Sequence, residues 1–393
     1  MKIGIITYVR TVTFNYGAEL QAYALQYKLN NLGYDTEVVD LKRVLPSGNR
    51  FAQTVKKAIV NRYKMQNPVT ATIEVFKLIL SVLNEKRYTK KYAIVVSDKK
   101  DAFKDFFDND IKHSEKEYRP EDLDTAILPY DTYIAGSDQI WNYRNSDRVD
   151  VFFLMFANRF KAKKISYAAS FSVSAIPEKY KTDYKKWINN IDCLSVREKD
   201  GVDLCRDIAG REAMLVCDPT LLLGQKDWEK IAEPIDNIHG KYVVVYSMSR
   251  SKNVLRVANT IAKELGSLPV INIKIGLAPS HIENITDLYN VSPKQWLWLM
   301  MNAEYVVTDS FHGTAFSINF NKSFTTIQNP MSELNSRVNT ILEITNLKNR
   351  LYVNDKTGKL PEQLRIDYTP VNNIISAWRQ KSLEFLIKSL NQQ

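Results

Sequence analysis

The sequence predicts an α/β protein of two doubly wound, Rossmann-like domains facing each other across a cleft. Three observations predict it. Short apolar runs alternate with helical periodicities in two separate series. A polar stretch, residues 227–240 with Pro234 and Gly240, divides the two series. Polar elbows follow the apolar runs at the presumptive carboxyl ends of parallel strands, where open α/β sheets hold their ligands. A length of 393 residues, beyond the usual single core, agrees with two domains.

The first series opens on residues 2–9, KIGIITYV, a β-rich run followed by the polar turn Thr13-Phe14-Asn15-Tyr16-Gly17. Ala18, Ala22, Leu25, Leu29 and Leu32 then recur at helical spacing, and Gly33 stops the helix. Residues 35–41, DTEVVDL, form the next strand. This βαβ unit lacks a G-x-G-x-x-G fingerprint, which argues against a dinucleotide. From about 51 to 116 the pattern turns helical and strongly charged, with no strand before residues 93–96, and reads as an insertion. A short helix is expected at 121–128. A strand at 131–135 runs into the elbow Gly136-Ser137-Asp138-Gln139-Ile140-Trp141-Asn142. Strands are expected at 164–169, at 192–196 ending on Arg197-Glu198, and at 213–217 closing on Asp218-Pro219-Thr220, with helices at 178–189 and 199–209 between them.

The second series places strands at 241–248, 269–273, 305–308 and 323–327 and helices at 253–265, 293–302 and 337–345. An amphipathic tail, about 372–390, is expected to fold back over the first domain. The resulting division is 1–235 for the first domain, 240–350 for the second and 360–393 for the tail.

Apolar and charged fractions of 45% and 25% are those of an ordinary soluble globular protein. The formal charge of +10 rests on bases concentrated at 56–100 and 161–186, interleaved with acids. A solvated surface accounts for such runs, as does attraction to an anionic substrate or a peripheral contact with an anionic membrane surface. No groove-reading element accompanies the charge, which argues against nucleic acid. Cys193, Cys205 and Cys217 are widely spaced, and no close Cys or His pair suggests a metal, so neither metal nor cofactor is expected. Residues 1–14 are too polar for a secretory signal, and the apolar helical stretches 75–83 and 296–301 fall far short of a membrane span. A cytoplasmic protein is the expectation.

The richest stretch is 305–324, YVVTDSFHGTAFSINFNKSF. Its apolar run stops at Asp309, and the following helix would turn its unpaired N–H groups toward the same place, which suits an anion. Gly313 permits close backbone approach, and His312 can move a proton near neutral pH. A capped strand–turn–helix unit with a surface histidine explains the same residues equally well.

Four segments together carry a resemblance: NYGAELQAYAL at 15–25, GSDQIWN at 136–142, SVRE at 195–198 with CDPTLLL at 217–223, and TDSFHGTAFSINF at 308–320. With these the chain resembles the polysaccharide pyruvyl transferase family, from residue 1 to about 345; the charged stretch 51–116 and the tail carry none of it. The resemblance implies a fold similar to GT-B glycosyltransferases. It also implies transfer of the enolpyruvyl carbons of phosphoenolpyruvate onto two hydroxyls of a sugar, giving a pyruvate ketal and phosphate.

On that resemblance His312 is the proton donor or the phosphate partner and Arg197 an anion clamp, while Arg337, at the head of a helix, reads as a weaker second clamp or as an ordinary surface charge. Arginine's planar fork suits both the carboxylate and the phosphate. Ser310 and the Gly313 amide are candidates for phosphate oxygens, although Ser310 equally reads as an N-cap. Asp138 is a candidate base for an acceptor hydroxyl, Gly136 and Ser137 shape its elbow, and Trp141 offers a face to a sugar ring or packs in the core. Asn15 and Gly17 are expected at the cleft as acceptor or phosphate contacts, or simply form a tight helix-entry turn. Asp218 reads as the end of a strand, without chemistry. The expected partners are phosphoenolpyruvate and a glycan acceptor of an exopolysaccharide, capsule or cell wall, with a lipid-linked acceptor left open. A nucleotide-sugar glycosyltransferase of the same architecture is the alternative.

Overall fold

The computed structural model describes residues 1–10, 14–42, 88, 91–249, 251–328, 335–353 and 358–392. It is an α/β structure in which every strand pair is parallel. In chain order the first half holds β1 (Lys2–Ile6), α1 (Tyr16–Asn31), β2 (Asp35–Val38), α2 (Ala93–Asp110), β3 (Thr132–Ala135), β4 (Lys163–Ser166), α3 (Glu178–Asn189), β5 (Ser195–Val196), α4 (Lys199–Ala209) and β6 (Met214–Leu215). After the single turn α5 (Pro219–Leu222), the second half holds β7 (Val243–Tyr246), α6 (Lys252–Glu264), β8 (Val270–Ile273), β9 (Ile285–Leu288), α7 (Pro293–Asn302), β10 (Tyr305–Thr308), α8 (Phe311–Asn319), β11 (Ser323–Ile327), α9 (Ser336–Ile344), β12 (Leu351–Tyr352) and α10 (Tyr368–Asn391).

The first sheet runs β2-β1-β3-β4, and single bridges from Ile165 to Cys193 and Ala169 to Val196 extend it toward the β5-β6 pair. The second sheet runs β12-β11-β10-β7-β8-β9. In both, chain order reverses direction beside the first strand of the half, β1 or β7. That switch is where loops at the carboxyl ends part and leave room for a ligand.

Three local expectations change. Residues 93–96 are the first turn of α2, not a strand. Phe103, Phe106 and Phe107 fall on one helical face and bury it, whereas Ile94 is 77% exposed. At 121–128 only the 3-10 turn Pro120–Asp124 forms. β9, unforeseen, is a partly exposed edge strand without the apolar run that marks its neighbours. The rest of the expected insertion, at 51–87, lies outside the described residues, as does the apolar stretch at 75–83.

One apolar cluster joins the halves. It contains Ile3, Tyr16 and Leu25 from the first, Val306 and Phe316 from the second, and Ile375, Leu386 and Leu390 from α10. α10 also anchors by polar contacts. Ser382 Oγ accepts from the Cys217 amide at 2.9 Å, and Tyr368 donates to the Ser317 carbonyl at 3.2 Å. Among the described residues no helix is long and apolar enough to cross a membrane.

Candidate active site

The site is assembled beyond the ends of β1, β3, β5, β6 and β10 and from the first turns of α1, α8 and α9. At the end of β3, Gly136 leaves no room for a side chain: a Cβ there would lie 3.0 Å from that of Thr7. Thr7 donates to the Ser137 carbonyl at 2.7 Å and pins the elbow to the end of β1. Asp138 then takes a left-handed backbone, φ +75°, which turns its carboxylate toward the end of β5.

Arg197, directly after β5, is buried to the tip. Its Nη1 donates to Asp218 Oδ2 at 2.6 Å and to Ser137 Oγ at 3.1 Å, and its Nη2 to Asp138 Oδ1 at 3.4 Å. Expected as an anion clamp, it spends both terminal nitrogens on protein groups and keeps only Nε unpartnered, 4.0 Å from Glu198 Oε2. Glu198 itself gathers three donors on one oxygen, from Ser170, Phe171 and Ser172, and burial raises its carboxyl above the ordinary range.

Asp218 stands at the centre, and its importance was not visible in the sequence. One oxygen caps α5, accepting from the Thr220 amide at 3.0 Å and hydroxyl at 2.8 Å. The other accepts from Arg197 and from Ser137 Oγ at 2.8 Å and lies 3.7 Å from His312 Nε2. Burial pushes its carboxyl up, but the close approach of His312 and the charge of Arg197 outweigh burial and hold it far below 3.8.

The second half brings α8. Ser310 is its N-cap, its hydroxyl accepting from the Gly313 amide at 3.4 Å, so the sequence reading of a cap holds and that amide already has a partner. Gly313 is required by packing, since a Cβ there would fall 2.2 Å from Thr308 Oγ1. Asp309 faces away to organise the turn after β7, accepting from the Met248 amide at 2.7 Å and from Ser247 at 2.8 Å. His312 points at the first turn of α1, against Gly17; its Nε2 has no hydrogen-bond partner. Asn15 precedes that turn in extended backbone, and its carbonyl accepts from the Ala18 amide at 3.1 Å.

Phe311 is the residue on which the cations gather. The guanidinium carbons of Arg197 and Arg337 lie 4.6 and 5.8 Å from its ring centroid, and the His312 ring lies 5.1 Å away. Arg337, in the first turn of α9, is buried and has no carboxylate within ion-pair distance among the described residues. With its amide oxygen turned inward, Gln139 accepts from Nη2 at 3.0 Å and Nη1 at 3.2 Å; Nε has no partner. Burial first, and the charge of Arg197 second, bring the Arg337 guanidinium down to about 10, so it remains a cation at neutral pH.

Trp141 does not serve the site. It is fully buried, stacked on Phe153 at 4.3 Å, with its Nε1 donating to the Phe152 carbonyl at 2.9 Å, so no face is open to a sugar. The bulk of its ring matched the core of the first half better than a polar elbow.

A family model described as polysaccharide pyruvyl transferase matches residues 15–330. A sequence search among curated proteins finds no significant match. Solved structures similar to this chain include Staphylococcus aureus MnaA with UDP, at 11% identity over 97% of this chain and 90% of that one, with a TM-score of 0.49. UDP-GlcNAc 2-epimerase from Neisseria meningitidis bound to UDP-GlcNAc shares 11% identity over 100% and 95%, with a TM-score of 0.47. Acinetobacter baumannii MurG shares 9% over the whole of both chains, with a TM-score of 0.41. By the family match over most of its length, the chain belongs to the polysaccharide pyruvyl transferase family.

Proposed function

We propose that the protein transfers the enolpyruvyl carbons of phosphoenolpyruvate to two hydroxyls of a sugar in a polysaccharide or its precursor. Arg337 carries this reading. Its buried guanidinium has no carboxylate within ion-pair distance among the described residues, Glu198, Asp138 and Asp218 acting on it only from further off, and a dianionic substrate would supply direct partners. The unpartnered Nε atoms of Arg197 and Arg337 and Nε2 of His312, all beside Phe311, are donors available to phosphate and carboxylate oxygens.

The reaction loses two protons from the sugar. One goes to C3 of the enol, turning methylene into methyl, and the other leaves on phosphate as the C2–O bond to phosphorus breaks. Two sugar oxygens then bond to C2. His312, held against Asp218, is assigned to the proton transfer, because a carboxylate at 3.7 Å stabilises an imidazolium as it forms. Asp138 is assigned to orienting the acceptor, although its contact with Arg197 already occupies one oxygen. No metal or redox cofactor enters the scheme, and a cytoplasmic location belongs to the same reading.

The test is phosphate release and ketal formation from phosphoenolpyruvate with a glycan acceptor. His312→Ala or Arg197→Ala retaining full turnover removes the residue assignment. A thermal midpoint raised by a nucleotide sugar and not by phosphoenolpyruvate overturns the donor assignment in favour of a glycosyltransferase.

A further inference from the structure

A second site lies at the same edge of the first sheet, one strand over. Beyond the ends of β1 and β2 there is a cavity of 670 Å³, a size ordinary for small-molecule sites. Its wall includes Asp40, which is 4% exposed. Oδ2 of Asp40 accepts from Arg10 Nη1 at 2.7 Å, and its backbone amide donates to Ser114 Oγ at 3.0 Å. Its Oδ1, buried equally, has no hydrogen-bond partner. A buried carboxylate oxygen of this kind wants a donor, and the cavity is where one can arrive. Burial raises this carboxyl despite Arg10, in keeping with an oxygen short of donors.

The remaining wall is mixed in charge and partly aromatic, and Lys104 also pairs with Asp108 beside it. Arg10, Lys42, Lys100 and Lys104 face it against the carboxylates Glu19, Asp40 and Glu117, four positive to three negative. Lys100 and Lys104 stand one turn apart on α2, on the same face of the helix. Glu117 pairs only loosely, at 3.8 Å with Arg10 and 3.6 Å with Lys42. Phe14 supplies an apolar side and leads into α1, whose first turn is shared with the site above: Gly17 abuts His312 while Glu19 reaches the cavity.

We propose that this cavity binds the phosphorylated end of the glycan acceptor. The ligand class is a sugar carrying a phosphate or diphosphate ester. A sugar hydroxyl donates to Asp40 Oδ1, and the phosphate lies among Arg10, Lys42, Lys100 and Lys104. That the ligand is an acceptor rests on the function proposed above; that it is a phosphorylated sugar rests on the cavity alone. The phosphate is a natural extension of a sugar here, because unpartnered Oδ1 asks for a hydroxyl while the rim asks for an anion.

The experiment is calorimetric titration of the full chain with glucose 1-phosphate, UDP-glucose and geranyl diphosphoglucose, each with and without phosphoenolpyruvate. At least one of the three binds saturably. Lys100→Ala/Lys104→Ala weakens it tenfold or more, and Asp40→Asn weakens it as well. Tighter binding of the geranyl compound assigns the phosphate to a lipid carrier, and tighter binding of UDP-glucose to a nucleotide. Saturable heat from none of the three, or heat unchanged by the lysine pair, overturns the proposal. Phosphoenolpyruvate affinity is expected to be the same in wild type and in the lysine variant. If phosphoenolpyruvate binds and the sugars do not, the cavity assignment fails alone. If the sugars bind through the lysines and phosphoenolpyruvate does not bind, the catalytic reading fails and the cavity stands.

Discussion

Gly17 and His312 are in such close contact that a Cβ on residue 17 would lie 2.0 Å from the imidazole Nδ1. The two halves of the molecule meet at this point, and a hydrogen atom on Gly17 is what the histidine rests on. Gly17→Ala therefore has to push His312 off its position beside Asp218. A displacement of that order costs about 10²-fold in turnover when a reacting group is misplaced, and overpacking costs about 1–3 kcal/mol of stability. Turnover and urea unfolding of the one variant check both, and kcat is expected to fall more than substrate affinity.

Asp218→Asn removes the charge shared by Arg197 and His312. Breaking a buried ion pair by deleting one partner costs about 3–5 kcal/mol. The pH dependence has a definite sign. A carboxyl held below its unfolded value stabilises the fold above 3.8, and this contribution is lost as pH falls through its lower, folded value. The urea midpoint of the wild type should therefore decline on acidification more steeply than that of the variant. Parallel declines would mean that Asp218 is not the responsible group.

Arg337→Met should separate stability from function. Replacing this buried cation by an apolar side chain of similar length lifts its desolvation cost without breaking a close ion pair. The free variant is expected to melt at or above the wild-type temperature, while the midpoint rise produced by phosphoenolpyruvate disappears. A variant that unfolds early, or that keeps the ligand-induced rise, contradicts the counter-ion argument.

Trp141→Phe should leave the acceptor's KM unchanged, because the ring touches Phe153 and Phe171 and nothing in the site. Trp141→Ala should lower stability by about 3–5 kcal/mol through the cavity it leaves. Steady-state kinetics and denaturant midpoints distinguish this from a sugar platform, which would show as a raised KM in the phenylalanine variant.

Periodicity made most of the architecture readable, because parallel strands buried on both faces leave continuous apolar runs such as 243–246 and 305–308. It misled at 93–96, where β-branched residues suggest a strand until Phe103, Phe106 and Phe107 establish a helical face downstream. The elbow residues Ser137, Asp138, Arg197 and His312 were legible because each follows an apolar run. Asp218 was read as the end of a strand, which misses both its cap on α5 and its place in the site. A carboxylate has two oxygens, and the partners of the second, Arg197 and Ser137, come from two other strand ends far along the chain. Arg337 could be named from sequence, but its burial without a carboxylate at ion-pair distance among the described residues is a property of the assembled fold. Trp141 shows the converse, a residue within a functional elbow that turns inward to the core.

The long helix α10 has a consequence for synthesis. Its Ile375, Leu386 and Leu390 complete the core shared by β1, α1 and α8, and the Tyr34 hydroxyl donates to Asn391 at 3.2 Å across 357 residues of chain. Loops of that length close late and slowly. On the ribosome neither sheet can be sealed until residues 368–391 have emerged. A nascent chain stalled before them would present an unfinished apolar surface to chaperones and proteases.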